Sequence, residues 1–226
     1  MALPQARDTF QFFTRLSLQE LTGLRATTIP QLLKYLKEVP GSVIYHHTHH
    51  FLQAHQYLTP EPPNDFAYWV TEVLGEKRFG EELASIDTVQ FATIRALRDR
   101  LVQTVARSLR AQPLLRLRRA PLNEALYFMK SISVVLPTAI RATTLQEFAD
   151  GLETVTIDSL YYHIFEARLR LERGQNDFSR WFETSLDEAP LARAVSGLDP
   201  YTYTMEELRQ TMLRLVRQRV VALAGG

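Results

Sequence analysis

The chain repeats itself. The segment Arg25–Thr28 returns as Arg141–Thr144, and the residues around the two copies stay in register at an offset of 116 residues. A repeat of this length is too long for a solenoid unit, so it predicts two fused copies of one small fold, related by a pseudo-twofold axis. Positions kept in both halves are expected to build the fold, whereas a function is sought at the positions that differ.

The register pairs tyrosine with tyrosine, histidine with histidine and tryptophan with tryptophan, and after a loop that is shorter in the second half the offset becomes 112 residues. The pairs are Tyr45 with Tyr161, His47 with His163, Asp65 with Asp177, Trp69 with Trp181 and Asp87 with Asp199. We therefore expect a first half over residues 1–108, a basic linker over 109–123 and a second half over 124–226, with both halves in one compact domain.

Composition excludes several classes of protein. A net charge of +1 in 226 residues argues against a polyanion-binding protein as a whole. The absence of cysteine excludes disulfides and thiolate chemistry, which fits a cytoplasmic protein. The first ten residues contain Arg7 and Asp8 and do not form a signal peptide. No apolar run approaches the roughly 18 residues that a membrane span requires.

Each half is predicted to contain one strand and about four to five helices, which gives a mainly α fold with a small β element. Phe10–Leu18 and Leu126–Leu136 carry the strand signals, because they alternate or are rich in aromatic and β-branched residues. The two strands are expected to pair antiparallel. A lone pair of strands is marginal in water, so helices must cover it.

The first helix of each half has a clear start. Thr28 with Gln31, and Thr144 with Glu147, fit the capping box, in which the Gln or Glu side chain returns to the N–H of the cap residue. Further predicted caps follow from residue type. They are Ser42 and Asp158 for the second helix, Asn64 or Asp65 and its counterpart Asp177 for a short helix, and Asp87 and Asp199 for the closing region, with Pro200 at a first helical position.

Two loops are also predicted from proline and glycine. Thr59–Pro63 ends the second helix, since successive prolines cannot continue it, and Gly75 stops the short helix. The stretch from Ala106 to Ala120, which overlaps the linker, contains no acidic residue and carries Arg107, Arg110, Arg116, Arg118 and Arg119. No aromatic residue lies among these arginines, so nucleic-acid binding is not expected, and a solvated linker is the preferred interpretation.

The second helix of the first half contains Tyr45–His50, the most conspicuous difference between the halves. His46 and His50 lie one turn apart, and His47 neighbours His50 on the same side. The second half has Tyr162, His163 and Glu166 at the equivalent positions. His55 faces the apolar side and is expected to pack.

Two interpretations of this helix remain open. If the second helices of the two halves face each other, imidazoles and a carboxylate suit a divalent Zn, Fe or Mn ion. The candidate metal ligands are His46, His47, His50, His163 and Glu166. Without a metal, the same helices form a groove for a polar molecule such as a sugar or nucleotide, with Tyr45, Tyr161 and Tyr162 as pocket candidates. The retention of His47 and His163 in both halves favours a shared structural role for this pair.

The sequence resembles an uncharacterised bacterial family, a domain of unknown function. The resemblance is carried by the segments Pro40–Phe51 and Pro60–Val70, and similar sequence occurs over Leu160–Arg170 and Asp199–Tyr203. The resemblance spans nearly the whole chain and implies a shared fold without an assigned activity.

No glycine-rich phosphate loop, nucleophile elbow or His-Glu-x-x-His motif is present. We therefore predict a cytoplasmic, regulatory protein that binds a protein partner or a small polar molecule between its second helices, and we favour a non-enzymatic role. The alternative is a metal-binding protein or metal-dependent enzyme that uses the His/Glu cluster. Self-association is left open.

Overall fold

The computed structural model describes residues 3–54, 64–88, 90–167, 175–198 and 203–225, without the side chains of residues 50–54. Over these residues the fold is mainly helical with one small antiparallel sheet of two strands, which confirms the predicted fold class at this level. No helix in the described ranges is long and apolar enough to cross a membrane.

The helices are α1 (Ile29–Glu38), α2 (Gly41–Ala54), α3 (Asp65–Tyr68), α4 (Lys77–Ala84), α5 (Ile94–Ala111), α6 (Leu145–Thr154), α7 (Ile157–Tyr161), α8 (Asp177–Ser185), α9 (Ala189–Ser196) and α10 (Met205–Gly225). Two π-helical segments continue helices: π1 (Trp69–Val73) follows α3, and π2 (Tyr162–Glu166) follows α7. Two 3₁₀ turns, Pro113–Leu117 and Leu122–Glu124, precede the second strand.

The strands are β1 (Phe10–Ala26) and β2 (Leu126–Ala142), both longer than predicted. Pro137 is tolerated inside β2 because each strand of a two-stranded sheet is an edge strand, where one N–H is not needed for pairing. Threonine side chains add contacts across the pair. Thr22 Oγ1 donates to the backbone oxygen of Phe128 at 2.8 Å, and Thr138 Oγ1 donates to that of Phe12 at 2.9 Å.

The chain divides into two compact units, and each unit contains part of both strands. Unit 1 contains Met1–Leu16, Leu52–Leu58 and Ser133–Gly226, and unit 2 contains Ser17–Phe51 and Thr59–Ile132. Unit 1 therefore combines the start of β1 and the end of β2 with the helices from α6 onward. Unit 2 combines the end of β1 and the start of β2 with α1, α3, α4, α5 and most of α2.

The core of unit 1 is aromatic. Phe12 is fully buried, and its ring centroid lies 5.4 Å from that of Phe148 on α6 and 6.1 Å from that of Phe178 on α8. Trp181 stacks on Phe148 at 5.5 Å, and its Nε1 donates to the backbone oxygen of Asp8 at 2.7 Å. The beginning of β1 is thus held by the helices of the second half of the sequence.

The core of unit 2 shows equivalent contacts. Phe128 of β2 is fully buried and contacts Tyr35 of α1, with ring centroids 5.2 Å apart. Trp69 donates from Nε1 to the backbone oxygen of Glu124 at 2.9 Å. The beginning of β2 is therefore held by helices of the first half of the sequence.

The predicted caps of the first helices are confirmed, with one change in their geometry. Thr28 and Thr144 accept from the N–H of Gln31 and Glu147. The Gln31 and Glu147 side chains, however, accept from the N–H and hydroxyl of the threonine before each cap, at 2.7 to 3.0 Å. These contacts, with Thr143 as the main donor, lower the pKa of Glu147 from its ordinary value.

Several other predicted caps are wrong. α2 begins at Gly41, so Ser42 lies inside its first turn, and Thr156 caps α7 in place of Asp158. Of the two candidates Asn64 and Asp65, Asn64 is confirmed as the cap of α3 and Asp65 is its first helical residue. Asn176 caps α8 in place of Asp177, which is also a first helical residue.

The predicted start of the first closing helix is also wrong. Thr93 caps α5, so Asp87 does not begin a helix. Gly75 adopts a φ of +70° just after π1, as its predicted stopping role requires. The predictions for Thr59–Pro63, His55, Asp199 and Pro200 lie outside the described residues.

Candidate functional site

In unit 1, His163 lies between a strand and a helix. The backbone N–H of Phe13 on β1 donates to its Nε2 at 2.9 Å, and its Nδ1 lies 2.8 Å from Oδ2 of Asp177 on α8. Since Nε2 must carry a lone pair to accept from a backbone N–H, the proton of the neutral ring is on Nδ1, which donates to the carboxylate. His163 therefore links β1 to α8 through both ring nitrogens.

His47 has the same arrangement in unit 2. The backbone N–H of Met129 on β2 donates to its Nε2 at 2.9 Å, and Asp65 Oδ2 lies 2.8 Å from Nδ1. The two histidine side chains are almost fully buried, but their carboxylate partners differ. The side chain of Asp65 is 51% exposed, whereas that of Asp177 is 17% exposed.

These contacts limit what the two imidazoles can do chemically. A general base or a metal ligand needs an accessible lone pair on a ring nitrogen. In His47 and His163 the lone pair of Nε2 is directed at a backbone N–H and Nδ1 carries the proton. Each ring would have to lose a strand contact before taking a proton or an ion. A structural role is the arrangement that these distances favour.

His46 adds a second imidazole in unit 2. Its Nδ1 lies 2.9 Å from the Ser131 hydroxyl, and it is buried. One ligand atom from each of His46, His47 and Asp65 lies within 4.8 Å of the others, so this group could hold a metal ion. It includes Asp65, which the sequence suggested only as a helix cap, and it includes two of the predicted ligands.

Glu166 has a different environment from that of His163. It forms an ion pair with Arg15, whose side chain is 1% exposed, and it accepts from Ser133 Oγ at 3.1 Å. The Arg15 guanidinium lies 4.2 Å from the ring centroid of Tyr161. His163 and Glu166 were expected to share one face of an α-helix, but they lie on π2, whose i→i+5 hydrogen bonding changes the angular spacing of residues.

His163 and Glu166 belong to unit 1, whereas His46 and His47 belong to unit 2, and each has partners within its own unit. The predicted site that joins all of them stays a prediction. The side chain of His50 lies outside the described residues.

The three tyrosines named from the sequence lie in different surroundings. Tyr45 stacks on His49 with ring centroids 5.1 Å apart, and Tyr161 is fully buried beneath Arg15. Burial lowers the pKa of His49 to about 4, so this ring stays neutral in the folded protein at neutral pH. Tyr162, on π2, lines an open groove.

This groove, the unit 1 groove, has a volume of about 500 Å³. Its lining combines aromatic rings with polar and charged side chains from the start of β1, from π2 and from α8. The lining residues are Asp8, Thr9, Phe10, Gln11, Phe13, Tyr162, His163, Asp177, Arg180, Trp181, Thr184 and Ser185. His163 and Asp177 form part of its wall.

Arg180 and the contact of Asp177 with His163 at this groove were not predicted from the sequence. A signal for the second was present, because the histidine and the aspartate of each pair recur together in both halves. Two titratable residues retained together predict a contact as well as two separate structural positions. Arg180 carried no comparable signal, since Tyr68 occupies the equivalent position in the first half.

The family model described as Family of unknown function (DUF5752) matches residues 7–217. Among solved structures, the chain is similar to "The structure of OrfY from Thermoproteus tenax", with a TM-score of 0.81 and 30% sequence identity, over 96% of this chain and 98% of that chain. A comparison with curated proteins gives no match. The predicted resemblance to a family of unknown function is therefore confirmed.

Proposed function

Because this chain belongs to DUF5752, a family of unknown function, we propose its role from its own residues: it binds a small polar molecule in the unit 1 groove. The observation that carries this proposal is the groove itself. Its volume of about 500 Å³ falls within the roughly 300–1,000 Å³ typical of small-molecule sites. Aromatic rings beside a few polar groups are the usual lining of such sites.

Side chains of the groove supply contacts of several kinds. Tyr162 and Phe13 are half-buried and offer ring faces, and Arg180 offers an exposed guanidinium. Gln11 is held in place, since its amide nitrogen donates to backbone oxygens of Phe12, Thr138 and Ile140 at 2.8 to 3.1 Å. A wall fixed by such contacts binds a ligand at a low entropic cost.

The groove is a binding site and not a catalytic one in this proposal. His163 is the imidazole in its wall, and its Nε2 already accepts from Phe13. A protein that recognises a ligand without transforming it is suited to a regulatory role. The cytoplasm is its proposed location, which the absence of cysteine supports.

We also propose that the two units descend from one duplicated module. Four contacts support this history, because each unit has a histidine that accepts from a strand N–H, an aspartate bound to it, an asparagine cap and a tryptophan that donates to a backbone oxygen. Only unit 1 has Tyr162 and Arg180 at the groove, so binding is assigned to unit 1.

Ligand-observed NMR with a library of polar fragments tests the binding proposal. Fragments that bind the wild-type protein should lose at least tenfold in affinity with Tyr162→Ala and Arg180→Ala. The matched control is Tyr68→Ala, since Tyr68 is the unit 2 equivalent of Arg180 and is 50% exposed. Fragments that bind all three variants equally, or a library without any binder, would overturn the proposal.

A second candidate function is metal binding in unit 2, favoured by the proximity of His46, His47 and Asp65. A Zn, Fe or Mn ion would take His46 and the exposed carboxylate of Asp65 most readily, because His47 would first have to release Met129. Elemental analysis of protein purified without a histidine tag tests it. A stoichiometric metal that is lost in His46→Ala supports this function, and metal-free protein that also fails to bind added Zn²⁺ removes it.

A further inference from the structure

A second groove lies on α5 in unit 2 and shares no residue with the unit 1 groove. This α5 groove has a volume of about 610 Å³ and is lined by Arg100, Gln103, Thr104, Arg107, Arg110 and Ala111. These positions are spaced by three or four residues along the helix and therefore share one face. Arg100 and Arg107 are two turns apart, which is about 10.5 Å along the axis.

The α5 groove has an excess of positive charge. Its described lining contains three arginines and no acidic residue. Glu82 of α4 lies 3.6 Å from Arg107, but it also accepts from Ser108 Oγ at 2.9 Å, so its charge is shared. Arg110 donates from Nε to the backbone oxygen of Ala106 at 3.1 Å, a contact that leaves its two terminal nitrogens for other acceptors.

Thr104 supplies an independent observation. It lines the groove between Arg100 and Arg107 and is 2% exposed, and its hydroxyl has no hydrogen-bond partner within the described part of the chain. Burying a hydroxyl without a hydrogen-bond partner is energetically unfavourable. An acceptor atom delivered by a ligand would satisfy it.

We propose that the α5 groove binds a small polyanion that carries two or more oxyanion groups. Planar guanidinium groups bind phosphate and carboxylate oxygens through paired, charge-assisted hydrogen bonds. The separation of Arg100 from the Arg107–Arg110 pair suits a molecule with anionic groups at both ends. Phosphate and carboxylate ligands share this chemistry, and tripolyphosphate and citrate represent the two sources.

A small polyanion fits the groove better than a nucleic acid does. Single-strand binders place aromatic side chains beside their basic residues so that bases can stack. The described lining of the α5 groove contains no aromatic residue. Its arginines are also confined to three turns of one helix, which is short for tracking a nucleic-acid backbone.

Isothermal titration calorimetry with tripolyphosphate and with citrate, at about 20 mM salt, tests the proposal on the full-length protein. At least one of these probes should bind, and the double variant Arg100→Gln/Arg107→Gln should weaken it tenfold or more. The matched control is Arg95→Gln, an exposed arginine of α5 outside the groove. It should retain wild-type affinity.

The pattern of binding identifies the ligand class. Tighter binding of tripolyphosphate assigns a phosphate-bearing ligand, and tighter binding of citrate assigns a polycarboxylate. No binding of either probe, equal weakening by Arg95→Gln, or tighter groove-dependent binding of a short oligonucleotide would overturn the proposal. If the double variant unfolds, Arg100→Gln alone must still weaken binding at least threefold. Arg180→Ala should leave this binding unchanged, which separates the α5 groove from the unit 1 groove.

Discussion

The imidazole of His163 accepts a hydrogen bond from the backbone N–H of Phe13 at 2.9 Å. This bond joins the start of β1 to π2, two segments that are far apart in the sequence. Asp177 holds the opposite side of the ring at 2.8 Å. His163 thus fixes a strand to helices through a buried imidazole that is hydrogen-bonded at both ring nitrogens.

Removal of the carboxylate that pairs with the buried histidine should lower the unfolding free energy more in unit 1 than in unit 2. Asp177→Ala leaves the buried Nδ1–H of His163 without its acceptor, which costs about 1–3 kcal/mol of unfolding free energy. Asp65→Ala is the matched control, and it should cost less than half as much because water reaches the exposed Asp65 position. Urea unfolding measures both values. Equal losses would contradict the assigned difference in burial.

Each strand begins against helices that are distant from it in the sequence, and this packing predicts where a core mutation acts. Phe12→Ala removes a ring packed on Phe148 and should cost about 3–5 kcal/mol. Hydrogen exchange measured by mass spectrometry should rise most in α6, although Phe12 lies in the first half of the sequence. Phe128→Ala is the reciprocal control and should raise exchange most in α1, through Tyr35. Greater exchange within the mutated residue's own half would refute the arrangement.

Gly151 should not tolerate a side chain. A Cβ atom there would lie 2.8 Å from both the Phe12 ring and Ile140, closer than packed carbon atoms approach. Gly151→Ala should therefore lower the unfolding free energy by about 1–3 kcal/mol through overpacking. Gly197→Ala, where the nearest atom is 3.4 Å away, should change it by less than about 0.5 kcal/mol. Thermal and urea unfolding compare the two, and a neutral Gly151→Ala would show that α6 and β1 are less closely packed.

His49 should make the protein sensitive to mild acid. Burial lowers its pKa to about 4, whereas the unfolded imidazole takes a proton near pH 6.5. The unfolded state therefore binds more protons between these values, and the unfolding free energy falls as the pH drops from 6.5 toward 4. Between pH 7.5 and pH 5 the contribution is roughly 2 kcal/mol.

The variant His49→Gln removes this titration and retains hydrogen-bonding groups next to Thr48 and Thr88. Its unfolding free energy should depend less steeply on pH than that of the wild-type protein over this interval. Other titrating groups are common to both proteins and cancel in the difference. Parallel pH profiles would show that His49 is protonated equally in the folded and unfolded states.

The parts of the fold that depend on local sequence could be predicted, and those that depend on distant contacts could not. Thr28, Thr144 and Asn64 are caps because their side chains reach an N–H three residues away, which residue type and spacing reveal. Asp158 has the same chemistry, but Thr156 two residues earlier takes the position.

The candidate site was less accessible to prediction. The contact between His163 and Asp177 joins residues on separate helices, and the ion pair of Arg15 and Glu166 joins a strand to π2. Helical periodicity says nothing about such partners. The prediction also assumed the α-helical period, whereas His163 and Glu166 lie on a π-helical turn with a different angular spacing and contact different partners.

The division of β1 between the units also governs the order in which the protein can mature on the ribosome. Phe10 and Phe12 are synthesised early, but Phe148, Phe178 and Trp181, which surround them, are synthesised late. The aromatic side chains of nascent β1 therefore stay exposed until these later residues are synthesised. During that time the chain is most prone to aggregate or to bind chaperones.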